Sequence, residues 1–203
     1  MPEYKLIYFD AMGRAELTRW IFKLADIPYT DERIPAEEWP ERKKSTPGGT
    51  LPVLLVDEQV LRQSMAIARY VAREAGLVPQ DNLESALCDA LVETVMELQQ
   101  QMIKIMRSPG DDEEKKTKLQ QEFIPNQVEQ FFTCLRERLH DREWYCGDQV
   151  TWADLAIGRV FCTLVSTQEP LFDKYPDIRS YVEKICALPG IQDWIQTRPE
   201  TSF

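Results

Sequence analysis

The 203-residue chain has a single histidine, His140, set in a charged stretch from Arg136 to Glu143. A Ser-His-Asp or Cys-His-Asn centre would depend on that one residue, so histidine-based nucleophilic catalysis is not expected. The five cysteines, at 88, 134, 146, 162 and 186, are odd in number and never spaced Cys-x-x-Cys. That spacing excludes a zinc ribbon and a fully paired disulfide framework, and the cysteines read as reduced thiols that pack. Basic residues are in deficit, 24 Lys and Arg against 34 Asp and Glu, for a net charge of -10. Such a surface repels a phosphate backbone and an anionic lipid surface, so neither nucleic acid nor membrane is an expected partner. No stretch approaches the ~18 apolar residues of a membrane span, and the opening Met1-Pro2-Glu3-Tyr4-Lys5 lacks a basic segment followed by an apolar core. A cytoplasmic location is the expectation. What remains, 43% hydrophobic and 29% charged with 8 Gly and 13 Pro, is the composition of a globular chain forming one large domain or two small ones.

Tyr4 to Phe9 is short, aromatic and β-branched, and ends at Asp10 and Gly13, which predicts a strand entering a turn. Leu17, Trp20, Ile21 and Leu24 recur at helical spacing until Asp26-Ile27-Pro28, and a second strand is expected over Thr30 to Ile34. Pro35 to Gly49 is polar and punctuated by Pro40, Pro47 and Gly48-Gly49, which predicts a loop with one helical turn around Trp39. Val53 to Val56 and Gln59 to Arg62 flank Asp57-Glu58 as a hairpin, and Ser64 precedes a helix that stops at Gly76. The first domain is therefore placed at 1–76, with a connection at 77–83.

From 84 to 203 every periodic segment is helical. Leu87, Leu91, Val95, Leu98, Met102 and Ile105 form one long stripe, broken by Ser108-Pro109-Gly110-Asp111-Asp112. A second long helix carries Leu119, Phe123, Phe131, Leu135 and Leu139, with a bend expected at Pro125, which lacks the N–H. Thr151-Trp152-Ala153-Asp154 has the form of a capping box opening an apolar helix. A last helical pair is marked by Ile178, Tyr181, Val182 and Ile185, then by Ile191, Trp194 and Ile195. The pattern is an α+β domain followed by an all-α one.

Particular residues go further. The run from Tyr4 to Glu16, Trp39-Pro40 with Lys43, Leu51-Pro52-Val53-Leu54, Gln63-Ser64-Met65-Ala66-Ile67-Ala68-Arg69-Tyr70 and Thr151-Trp152-Ala153-Asp154-Leu155 together resemble the sigma-class glutathione transferases, the group that includes the haematopoietic prostaglandin D synthases. The resemblance spans essentially the whole chain. It implies a thioredoxin-like first domain, a helical-bundle second domain, and activation of glutathione by an N-terminal tyrosine that matches Tyr8. By the residues alone, Tyr8 reads as a core tyrosine on a strand. The resemblance also implies that Arg14 assists Tyr8, that Gln63 and Ser64 hold the γ-glutamyl end, and that Trp39 and Lys43 hold the glycyl carboxylate. Pro52 matches a cis-proline that turns the Leu51 backbone toward the cysteinyl peptide, with Gly49 and Thr50 at its border; Thr50 stands where the family often has a lysine.

Glu97 matches an acidic residue that reaches across a homodimer to the neighbouring site. With Glu93 it is similar to part of a calcium- or magnesium-binding acidic cluster, but Met96 interrupts that cluster and no metal is expected. The electrophile pocket implied by the resemblance is walled by Ala11, Met12, Gly13, Met102, Lys104, Ile105, Ala156, Val160 and Phe203. The function expected is conjugation of glutathione to small apolar electrophiles. The alternatives are a glutathione-dependent prostaglandin-endoperoxide isomerase and, in a different class, a crystallin-like structural protein or ligand carrier.

Overall fold

The computed structural model describes residues 2–201, with the backbone alone at 166 and 167. Its described residues fall into two compact units, one running to Val78 and resuming at Cys186, the other Pro79–Ile185.

The first unit is built on a four-stranded sheet: β1 (Tyr4–Phe9), β2 (Thr30–Ile34), β3 (Val53–Val56) and β4 (Gln59–Arg62), in the order β2-β1-β3-β4. β1 is central, with Tyr4, Leu6 and Tyr8 buried on one face and Ile7 on the other. It pairs parallel with β2, Tyr8 opposite Arg33, and antiparallel with β3, Leu6 opposite Leu54. The parallel pair needs a crossover, supplied by helix α1 (Glu16–Leu24). The β3–β4 pair closes through Asp57, whose φ of 52° is the left-handed conformation tolerated by aspartate in tight turns. After β2 the chain forms a helix, α2 (Trp39–Ser45), flanked by two 3₁₀ turns, where the sequence predicts a loop with one turn. Pro40 falls at the start of α2, where its missing N–H costs nothing, so it opens this helix rather than interrupting it. Helix α3 (Ser64–Glu74) follows β4 and packs on α1.

The second unit is helical: α4 (Asn82–Met106), α5 (Asp112–Thr117), α6 (Glu129–Leu139), α7 (Trp152–Thr167), α8 (Glu169–Lys174) and α9 (Pro176–Cys186). Between α5 and α6, Lys118–Val128 winds as a wider π-helix around Pro125, so the segment is re-wound where the sequence predicts a bend. α8 is not foreshadowed by the periodicity, which a six-residue helix is too short to display.

The Thr151-Trp152-Ala153-Asp154 sequence closes as a capping box. Asp154 is fully buried and accepts from the Thr151 N–H at 2.6 Å, the Thr151 hydroxyl at 2.7 Å, the Tyr145 N–H at 2.9 Å and the Tyr181 hydroxyl. Burial pushes its carboxyl up from the ordinary range against the pull of these donors. Asp154→Ala leaves them without an acceptor, and a loss of about 2–3 kcal/mol is expected in urea unfolding.

The end of the chain departs from the expected partition. The sequence assigns 84–203 to one helical domain, whereas residues from Cys186 onward cluster with the sheet unit. Helix α10 (Pro189–Thr197) lies against α1. Gly190 permits the approach, because a Cβ there would stand 2.2 Å from the Lys23 carbonyl oxygen. The Trp194 indole N–H and the Arg198 guanidinium both donate to Glu16, each at 2.9 Å. Hydrophobic periodicity marks α10 as amphipathic but carries no information about which unit its apolar face covers.

Candidate active site

Tyr8 sits at the end of the central strand, 8% exposed, where the chain leaves the sheet and turns into α1. Its hydroxyl accepts the backbone N–H of Arg14 at 3.1 Å. The Arg14 side chain is exposed, so the contact with Tyr8 is made by the backbone. Gly13 has φ of 43°, and a Cβ on it would lie 2.5 Å from the Tyr8 hydroxyl oxygen and 2.7 Å from the ring. The turn therefore closes over Tyr8 only because residue 13 is glycine.

Arg19 holds this turn from beneath, a role that sequence reading missed. Its guanidinium is fully buried on α1 and donates to the carbonyls of Ala11 at 2.7 Å and Met12 at 3.3 Å. It also pairs with Asp31 at 3.1 Å and Glu16 at 3.3 Å, and lies 5.9 Å from the Tyr8 ring centroid. The available signal was the pair of opposite charges at i, i+3 on the same helix as Leu17, Trp20 and Ile21.

The other sequence-nominated residues of the sheet unit lie on three segments. Trp39 opens α2 and packs edge-on against Phe9, 5.3 Å between centroids, while Phe9 is 5.5 Å from Tyr8. Lys43, exposed on the same helix, runs beside Gly49, where a Cβ would stand 3.6 Å from the Lys43 Cε. The Leu51–Pro52 peptide is cis, with Thr50 exposed before it. Gln63 has φ of 75°, a left-handed conformation uncommon for a residue with a side chain, and it immediately precedes Ser64, the first residue of α3. The start of α3 thus offers free backbone N–H groups and the Ser64 hydroxyl next to an exposed glutamine.

The nominated electrophile-pocket residues divide between the units. Ala11, Met12 and Gly13 form the turn over Tyr8 and are half-buried. In the helical unit Met102 and Ile105 are half-buried and Lys104 is exposed, whereas Ala156 is fully buried and Val160 is 7% exposed. Phe203 lies outside the described residues. The helical unit has its own cavity of about 400 Å³, lined among others by Leu91, Thr94, Glu97, Gln101, Phe131 and Tyr145, and by none of those five residues. Glu97 is exposed on α4. Among the described residues, no group of three or more His, Cys, Asp or Glu side chains gathers to hold a metal ion, and no helix is long and apolar enough to cross a membrane.

A mixed four-stranded thioredoxin-like sheet with a tyrosine closing its first strand, a cis-proline before its third, and a separate helical unit defines the architecture of the glutathione transferases. The family model described as Glutathione S-transferase, N-terminal domain matches residues 4–73, and that described as Glutathione S-transferase, C-terminal domain matches 96–198. The chain belongs to the glutathione S-transferase family. It is 39% identical over 203 residues to the hematopoietic prostaglandin D synthase of Gallus gallus, and 33% identical over 207 residues to glutathione S-transferase 3 of Caenorhabditis elegans, with 100% of each chain covered in both cases. Among solved structures it is similar to a monomeric glutathione S-transferase of the hookworm Necator americanus, with a TM-score of 0.89 at 37% identity over 99% of this chain and 100% of that one. It is similar also to rat hematopoietic prostaglandin D synthase complexed with a quinoline, with a TM-score of 0.85 at 36% identity over 100% of both chains.

Proposed function

We propose that the chain is a sigma-class, cytoplasmic, homodimeric transferase that activates the thiol of glutathione through Tyr8 and conjugates it to small apolar electrophiles. The observation that carries this reading is the Tyr8 hydroxyl. It accepts the Arg14 N–H, so its own hydrogen is left to donate, and the accepted bond polarises it into a stronger donor. Bound glutathione supplies the nucleophilic sulfur. Tyr8 donates to that sulfur and favours its anion, and the carbonyl clamp of Arg19 keeps the Gly13–Arg14 turn in place behind the hydroxyl.

The remaining residues suit a tripeptide with two carboxylates and an amine. Lys43 and the Trp39 indole N–H can hold the glycyl carboxylate, and the Leu51 backbone before cis-Pro52 can pair with the cysteinyl amide, beside Gly49 and Thr50. The N–H groups and hydroxyl at Ser64 receive the γ-glutamyl carboxylate, with the Gln63 side chain alongside. Glu97 belongs to the site of a second copy, where its charge faces the γ-glutamyl amine.

The test is the initial rate of glutathione conjugation to 1-chloro-2,4-dinitrobenzene. A rate well above the uncatalysed reaction is expected, and no excess rate overturns the conjugation reading. Gly13→Ala drives a methyl group into the Tyr8 hydroxyl, and kcat/KM is expected to fall about 10- to 100-fold, since ångström-scale misplacement at a reacting group has that effect. The likeness to prostaglandin D synthases favours one further reading, in which the same thiolate opens a prostaglandin endoperoxide and is released unchanged. Isomerase turnover without dinitrobenzene conjugation would select it.

A further inference from the structure

Cys88 and Cys146 are separated by 58 positions in the chain, yet their Sγ atoms lie 2.9 Å apart. Cys88 is fully buried on α4. Cys146 is half-buried in the short hairpin closed by the Trp144–Gly147 bridge, with its Sγ 3.7 Å from the Glu84 carbonyl oxygen. The Cys88 Sγ lies 3.6 Å from the Thr151 hydroxyl, at the capping box of α7. Both thiols are free, and both sit wholly within the helical unit.

We propose that Cys88 and Cys146 form an oxidation site for a low-molecular-weight disulfide such as glutathione disulfide, which reacts first at Cys146 and is resolved by Cys88 into a Cys88–Cys146 bridge. Access sets the order, because Cys88 is fully buried whereas Cys146 is half-buried. Proximity sets the outcome, because a bond of ~2.05 Å requires the sulfurs to close by less than ~1 Å. The hydrogen bond between the two sulfurs lowers the Cys88 thiol and raises the Cys146 thiol, so the Cys88 sulfur ionises the more readily and is the acceptor beside the Cys146 proton.

Cys88 gives up its proton, the Cys146 proton passes across the 2.9 Å contact to the Cys88 sulfur, and the Cys146 thiolate attacks one sulfur of the small disulfide, forming a mixed disulfide and expelling one thiolate, which takes up the proton released. Cys88 then releases its proton to solvent and attacks the Cys146 sulfur, and the second small thiolate leaves and is protonated. Two protein thiols are oxidised to one disulfide, and one small disulfide is reduced to two thiols. The bridge would fasten α4 to the hairpin whose Tyr145 N–H donates to Asp154 and whose continuation caps α7. It involves none of the residues assigned to glutathione activation, so its success or failure is independent of the proposed transferase reading.

The reduced full-length chain is incubated in mixtures running from reduced glutathione to glutathione disulfide, alkylated, and mapped by mass spectrometry without reduction. Expected is a cross-linked peptide pair containing Cys88 and Cys146, lighter by two hydrogens, appearing at the oxidised end and reversed by dithiothreitol. The melting midpoint of that species should rise by about 5 °C over the reduced chain, with no such rise in Cys146→Ser. In Cys88→Ala a glutathionyl adduct should accumulate on Cys146; its absence would overturn the proposed order. Full alkylation of both thiols at the oxidised end would overturn the site, as would a lasting glutathionyl adduct on Cys146 in the parent chain.

Discussion

Tyr8→Phe should lose about 25-fold of its glutathione-conjugation rate at pH 7 and less than ~1.5-fold at pH 9. A thiol with an ordinary pKa of ~8.5 is ~3% ionised at pH 7, whereas one lowered by ~2 units is ~76% ionised. That shift is worth about 2.7 kcal/mol, within reach of a phenol hydrogen bond to an anion at roughly 1.5–3 kcal/mol. By pH 9 most of the free thiol is ionised without help, so the defect closes. The loss should appear in kcat rather than in the KM for glutathione, because Lys43, Gln63 and Ser64 are untouched and Phe keeps the ring packed against Phe9. A flat ratio of parent to variant across pH 6 to 9 would argue against thiolate stabilisation, and an unchanged variant would remove Tyr8 from the chemistry. The same profile separates the enzyme from a crystallin-like carrier, which would show no turnover at any pH.

Glu16→Ala should be among the most destabilising single changes in the sheet unit, by about 3–5 kcal/mol, or on the order of 10 °C in melting midpoint. Glu16 is 1% exposed and is the meeting point of four donors: Trp20 at 3.2 Å, Trp194 at 2.9 Å, Arg198 at 2.9 Å and Arg19 at 3.3 Å. Truncation would leave two indole N–H groups without an acceptor and the buried Arg19 without one of its two carboxylates. Glu16→Gln keeps an acceptor oxygen and should fall between parent and alanine.

The pH dependence has a definite sign. Burial pushes the Glu16 carboxyl up, but the Trp194 N–H with Arg19 and Arg198 outweighs it and holds the group below the ordinary carboxylate range. The folded chain therefore stays ionised at pH values where the unfolded chain takes up the proton. This contribution is complete above the unfolded value of ~4.3 and is lost as pH falls through the lower folded value. The stability gap between parent and Glu16→Ala, measured by urea unfolding, should narrow below pH ~4.3. A gap that stays constant down to pH 3 would remove the ionic part of the account.

Arg19 and Glu16 also show where sequence reading stopped. The apolar stripe Leu17, Trp20, Ile21 and Leu24 was plain from spacing, and the strands at 4–9, 30–34, 53–56 and 59–62 were marked by composition and by the turn at Asp57-Glu58. The capping box at Thr151 and Asp154 was equally legible, because both partners lie within four residues of each other. These are local features, and local spacing determines them. The identity of the family was likewise carried by short motifs in order along the chain.

What tertiary structure alone decided involves partners distant in sequence. Trp194 and Arg198 reach Glu16 across 178 and 182 positions, which assigns the end of the chain to the sheet unit. The Arg14 contact with Tyr8 is made by a backbone N–H, and the guanidinium that supports the turn is that of Arg19, a choice set by which α1 residues face inward. Ala156, nominated for a pocket wall, is fully buried. Five cysteines with no recognisable spacing include two whose sulfurs meet, because α4 and the hairpin before α7 are brought together by packing. Periodicity names the face that a helix buries; only the folded chain determines what that face is buried against.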